Sequence, residues 1–95
     1  MDLGPNITLQ GFGELDAADI IIIKKLVGNY VKRISLVHPD FEKLELHYKP
    51  VHASSVEIHG TLICSGNDVH ADVTDTNLFY AVDGALKKLD AQLRH

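Results

Sequence analysis

A chain of 95 residues, 45% apolar and 23% charged, has the size and mix of one soluble globular domain spanning 1–95 and no room for two. The lone Cys64 excludes a disulfide framework and suits a reducing compartment, and no apolar run approaches the roughly 18 residues of a membrane span. A net charge of −4 argues against nucleic acid as a total, but the charges are unevenly spread along the chain.

The opening "MDLGPNITLQ" has neither a basic start nor an apolar stretch, so no signal peptide is expected and the cytoplasm is the expected location. Within it, "NITLQG" (Asn6 to Gly11) reads as a short first or edge strand, ending at the glycines Gly11 and Gly13. "LDAADIIIIKKLVGNYVKRI" holds four isoleucines in a row, which by propensity favours a strand. Its period is helical. Ile20, Ile23, Leu26, Val27, Tyr30, Val31 and Ile34 share one arc, with Lys25, Asn29, Lys32 and Arg33 opposite. Ile21 and Ile22 fall off that arc, and Lys24 intrudes on it. Asp16 is the expected N-cap, Lys32 and Arg33 suit the negative helix end, and "HPD" (His38 to Asp40) stops the helix.

Three strands are expected next, at Lys43 to Lys49, Val56 to Cys64 and Val69 to Thr74. Alternation gives one apolar face to Leu44, Leu46 and Tyr48, to Val56, Ile58, Leu62 and Cys64, and to Val69, Ala71 and Val73. "SGND" (Ser65 to Asp68) is the tight turn of a hairpin between the last two. A final helix carries the stripe Leu78, Phe79, Val82, Ala85, Leu86, Leu89 and Leu93, with Asp83, Lys87 and Arg94 opposite and Thr76 or Asp75 as cap.

The order β-α-β-β-β-α defines an α+β fold, a four-stranded sheet with two helices packed on one face. The apolar strand faces should meet Ile23, Val27, Tyr30, Val82, Leu86 and Leu89. Residues 20–39 carry four bases and no acid, and residues 76–95 carry three bases against two acids. The basic residues would therefore gather on the helical side, and the bare sheet face would keep most of the acids.

In the tail "HADVTDTNLFYAVDGALKKLDAQL", the residues Phe79, Ala81, Val82, Asp83, Ala85, Leu86, Lys88, Leu89, Gln92 and Leu93 fall on a pattern of aromatic-x-A-[IV]-D-x-[AL]-[LI]-x-K-L-x-x-Q-L. This tail resembles the ribosome hibernation factors, the short ribosome-associated inhibitor type also called protein Y and formerly described as sigma-factor modulation proteins. "NIT" and "KKL" resemble that family's first strand and first helix. The resemblance implies a monomeric, cytoplasmic stress-response protein that binds the small ribosomal subunit and its ribosomal RNA near the decoding region. It implies silencing or stabilisation of idle ribosomes, and neither catalysis, a cofactor nor a small-molecule substrate. Lys88 matches a basic site of the family's last helix, and Lys24, Lys25, Lys32 and Arg33 occupy the basic stretch of its first. With Lys87 and Arg94 these are the candidate RNA-binding residues. Ala91 stands where the family often has a base, and the chain is poorer in lysine and arginine. With the sequence ending at His95, the resemblance is to the short members, and the extra C-terminal dimerisation domain of the long ones is not expected.

A different reading uses the other sheet face, where alternation places Glu45, His47, Glu57, His59, His70 and Asp72. Such a face could serve a small metal-binding or protein-interaction domain. The spacing matches no established metal motif, cross-strand Glu–His pairs commonly just stabilise a solvated sheet, and no metal site is expected. "GFG" lacks the remainder of a phosphate loop, and Ser54, Ser55 and Ser65 have no nucleophile motif, so no catalytic residue is assigned.

Overall fold

The computed structural model describes residues 6–51 and 54–93. In chain order it contains strand β1 (Ile7–Gln10), a 3-10 turn (Phe12–Glu14), helix α1 (Ala17–Val37), strands β2 (Phe41–Pro50), β3 (Val56–Cys64) and β4 (Asn67–Asp75), and helix α2 (Leu78–Leu93). One sheet has the order β1-β2-β3-β4; β1 is parallel to β2 and the other pairs are antiparallel. This is the expected α+β arrangement, with α1 as the crossover between two parallel strands.

Both helices bury their apolar stripe on the same sheet face. Leu44 and Leu46 of β2 and Ile58 and Leu62 of β3 are fully buried in one cluster with Ile23 and Val27 of α1 and Val82, Leu86 and Leu89 of α2. α1 packs over β2, and α2 over β3 and β4. Val69 and Val73 are only half-buried, because among the described residues β4 is an edge strand with a neighbour on one side. Gly60 sets how closely α2 approaches. A Cβ there would lie 2.9 Å from Leu89 Cδ1 and 3.2 Å from Leu46 Cδ2, so the missing side chain is the seat of Leu89. Phe12, 1% exposed, adds to the core from the 3-10 turn, its ring centroid 5.6 Å from that of Tyr48. Gly11 before it has φ +82, and a Cβ there would lie 2.5 Å from the Tyr48 carbonyl oxygen.

The element ends depart from expectation in three places. α1 stops at Val37, just before "HPD" as expected, with the His38 N–H donating to the Ile34 carbonyl at 2.7 Å. Pro39 then forces His38 toward extended backbone, at φ −121 and ψ 88. Lys32 and Arg33 therefore lie inside the helix, its last turn holds no base, and the expected charge–dipole match is lost. At the other end Asp16 is the N-cap residue, but its carboxylate makes no capping hydrogen bond. In α2 the cap is Asn77, not Thr76 or Asp75. Asn77 Oδ1 accepts from the Tyr80 N–H at 3.0 Å, and Asp75 Oδ1 steadies the cap by accepting from the Asn77 N–H at 2.8 Å.

The β3–β4 hairpin turns on two residues, with Cys64 paired to Asn67 and positive φ at both Ser65 (52) and Gly66 (77), the geometry of a type I′ turn. It is tied to the start of β2. Ser65 Oγ donates to Asp40 Oδ2 at 2.5 Å and the Gly66 N–H to Glu42 Oε2 at 2.6 Å. The Ser65 hydroxyl is the main reason the Asp40 carboxyl is held below its ordinary pKa.

Candidate nucleic-acid interface

With both helices on one face, their polar sides form a shared outer surface. Lys24, Lys25, Lys32, Arg33, Lys87 and Lys88 are all exposed, while Arg94 lies outside the described residues. The six do not form one patch. Lys25 and Lys32, seven residues apart, share the outward line of α1. Arg33 and Lys87 come together from opposite sides of the groove between α1 and α2, which Leu26, Asn29, Asp83 and Asp90 also line. There the Arg33 guanidinium lies over the Tyr30 ring, 5.8 Å from its centroid, and Lys87 Nζ is 2.8 Å from Asp83 Oδ2 one turn back.

Lys24 falls elsewhere. It shares a side of α1 with Val31, which faces the β1 flank in a cleft with Asn6, Ile7 and Ser35. Lys88 is turned sideways rather than outward. Its ammonium donates to the Asp72 carbonyl of β4 at 3.2 Å, and one turn on Gln92 Nε2 donates to the His70 carbonyl at 2.5 Å. The outer surface thus carries Lys25, Lys32, Arg33 and Lys87 with Asp83 and Asp90 between them. It is basic along α1 and mixed over α2, less one-sided than the run of charges along the chain suggests.

The open sheet face is built as the alternation indicates. His47 stands opposite His59, His59 opposite Asp72, and Thr61 opposite His70. His59 is held on both sides. Its Nδ1 bonds the Asp72 carboxylate and its Nε2 lies 2.5 Å from Glu57 Oε1. Only the imidazolium can donate from both nitrogens, so Asp72 first and Glu57 second raise the His59 pKa above its ordinary value. The stabilisation this gives is fully present below the ordinary histidine pKa and is lost as pH rises through the raised one. A His59→Gln variant should therefore lose more stability relative to the parent near pH 5.5 than near pH 9, measured by urea denaturation, because only the parent titrates there at about the histidine range. An equal deficit at both pH values would contradict the pairing. Both ring nitrogens of His59 are engaged by carboxylates, and no group of three or more His, Cys, Asp or Glu among the described residues is arranged to hold a metal ion.

No described helix is long and apolar enough to cross a membrane. No family model matches the chain, and no curated protein matches it in sequence. Its fold is shared with solved structures, and they define its class: small α+β domains with a β-α-β-β-β-α trace and both helices on one sheet face. A ribosomal subunit interface protein from Coxiella burnetii superposes with a TM-score of 0.68 at 17% identity, covering 94% of this chain and 91% of that one. The N-terminal domain of Thermus thermophilus protein Y gives a TM-score of 0.68 at 17% identity, over 92% of this chain and 91% of that one. The chain has the protein Y N-terminal fold.

Proposed function

We propose that this chain is a cytoplasmic, non-catalytic protein that binds the small ribosomal subunit near the decoding region, through ribosomal RNA phosphates, and silences or stabilises idle ribosomes. The observation that carries the reading is the fold, common over nine-tenths of the chain to a protein described as a ribosomal subunit interface protein and to a protein Y domain. The outward cations Lys25, Lys32, Arg33 and Lys87 supply the chemistry. Lysine and arginine without an exposed aromatic ladder suit recognition of phosphate position and RNA shape rather than base sequence. Tyr48 and Tyr30 are turned inward, which leaves Tyr80 as the exposed tyrosine. Lys88 stands beside this set, with one ammonium N–H donated to the Asp72 carbonyl and its charge still exposed at the flank of α2.

Phosphate contacts release counterions, so binding must weaken steeply with salt. The tagged chain should co-sediment with small subunits in low salt and leave them as salt rises, while the large subunit retains none. Association indifferent to salt, or shared equally between the subunits, would refute the proposal.

A further inference from the structure

An edge strand exposes a row of backbone donors and acceptors that a further strand can pair with. β4 is such an edge, with β3 as its one neighbour among the described residues. The two-residue hairpin fixes which groups face outward. Cys64 and Asn67 close the turn, so Asn67, Val69, Ala71 and Val73 direct their peptide groups to β3, and Asp68, His70, Asp72 and Thr74 direct theirs away. The hydrogen bonds from α2 agree with this, because the two carbonyls they reach are those of His70 and Asp72.

The outward segment reads "VHADV", Val69 to Val73, and it complements itself when reversed. In an antiparallel pairing of two copies centred on Ala71, His70 stands opposite Asp72 on both sides of the two-fold axis, and Val69 opposite Val73. The register also places outward residue against outward residue, as the ladder requires. The His–Asp pairs lie on the open face and the Val–Val pairs on the helical face. Both pairings are favourable cross-strand neighbours.

We infer that the outer edge of β4 is a pairing surface for a second copy of this chain, and that Lys88 and Gln92 hold it shut. The two side chains stand one turn apart on the flank of α2 and occupy the two central outward carbonyls that the partner strand would need. A lysine at a sheet edge is a recurrent guard against strand addition. Here the guard is delivered from the neighbouring helix. When both side chains swing away, the sheet can extend from four strands to eight through one symmetric junction.

The test is the association of the full chain, followed by sedimentation equilibrium or light scattering across concentration. A Lys88→Ala/Gln92→Ala variant should dimerise at least about tenfold more tightly than the parent, since two hydrogen bonds in each copy no longer compete with the ladder. Adding His70→Asp sets carboxylate against carboxylate at both ends of the junction and should return the variant to parental behaviour. Circular dichroism checks the fold of each, and Lys88→Met/Gln92→Met, which keeps the apolar stems, repeats the test if the alanine pair unfolds. Folded variants no more associated than the parent, dimers indifferent to His70→Asp, or a parent that dimerises as tightly as the variant would each overturn the inference.

Discussion

Replacing Leu89 by Ala should destabilise the folded chain by about 2–5 kcal/mol, the range of large-to-small changes in a packed core. Leu89 is 0% exposed and sits directly over Gly60, its Cδ1 where a Cβ of residue 60 would be crowded at 2.9 Å. The space left by truncation would be floored by a residue with no side chain to relax into it, which puts the loss toward the upper part of that range. The same geometry predicts a rescue. Gly60→Ala should be harmful alone but should recover part of the loss in the Leu89→Ala background, because its methyl then fills the vacated seat. Urea unfolding of the four proteins measures the coupling. Additive losses would mean that Leu89 and Gly60 do not meet.

A Lys25→Glu/Lys32→Glu/Arg33→Glu variant should keep its fold and lose binding to small ribosomal subunits. All three side chains are exposed on α1, and surface changes of this kind alter stability by roughly half a kcal/mol each. Each phosphate contact removed should lower the slope of log affinity against log salt by about one, so the triple variant should lose about three if all three residues touch RNA. Reversal of sign adds repulsion, which should leave no measurable co-sedimentation at salt where the parent is retained. Lys24→Glu is the matched control, since Lys24 points to the β1 flank and should matter far less. A folded triple variant that sediments with small subunits as the parent does would make these cations ordinary solvated surface.

The elements and the core were legible in the sequence because they rest on period. The 3.6-residue repeat outvoted four consecutive isoleucines in α1, where Ile21 and Ile22 are indeed exposed, and alternation sorted the faces of β2, β3 and β4. What stayed hidden depends on contacts between distant segments. Nothing near Gly60 announces that Leu89 will rest on it, and Phe12 lies between two glycines in a stretch too short to show a period. Three successive polar residues, Asp75, Thr76 and Asn77, can each cap a helix, and only the backbone decides among them. The candidate interface was legible as a set of charges but not as a surface. Helical spacing places Lys88 on the flank of its stripe, yet only the position of β4 shows that its ammonium reaches the Asp72 carbonyl. Asp90 counts as one acid in a tally by segment, whereas in space it lies in the groove with Arg33 and Lys87.

The sheet order β1-β2-β3-β4 also bears on how the chain reaches its fold. β2, β3, β4 and α2 meet neighbours close by in sequence, across short separations whose closure costs little. β1 must instead find β2 across the whole of α1, pairing Ile7 with Leu44. Since low sequence separation favours early contacts, the C-terminal meander with α2 should form first as a unit, and β1 should dock last and open first. Native-state amide exchange should then find β1 the least protected strand and the centre of β3, enclosed on both sides, the most. The smallest strand is thereby the natural point of entry for partial unfolding, at the opposite edge of the sheet from the strand that α2 keeps guarded.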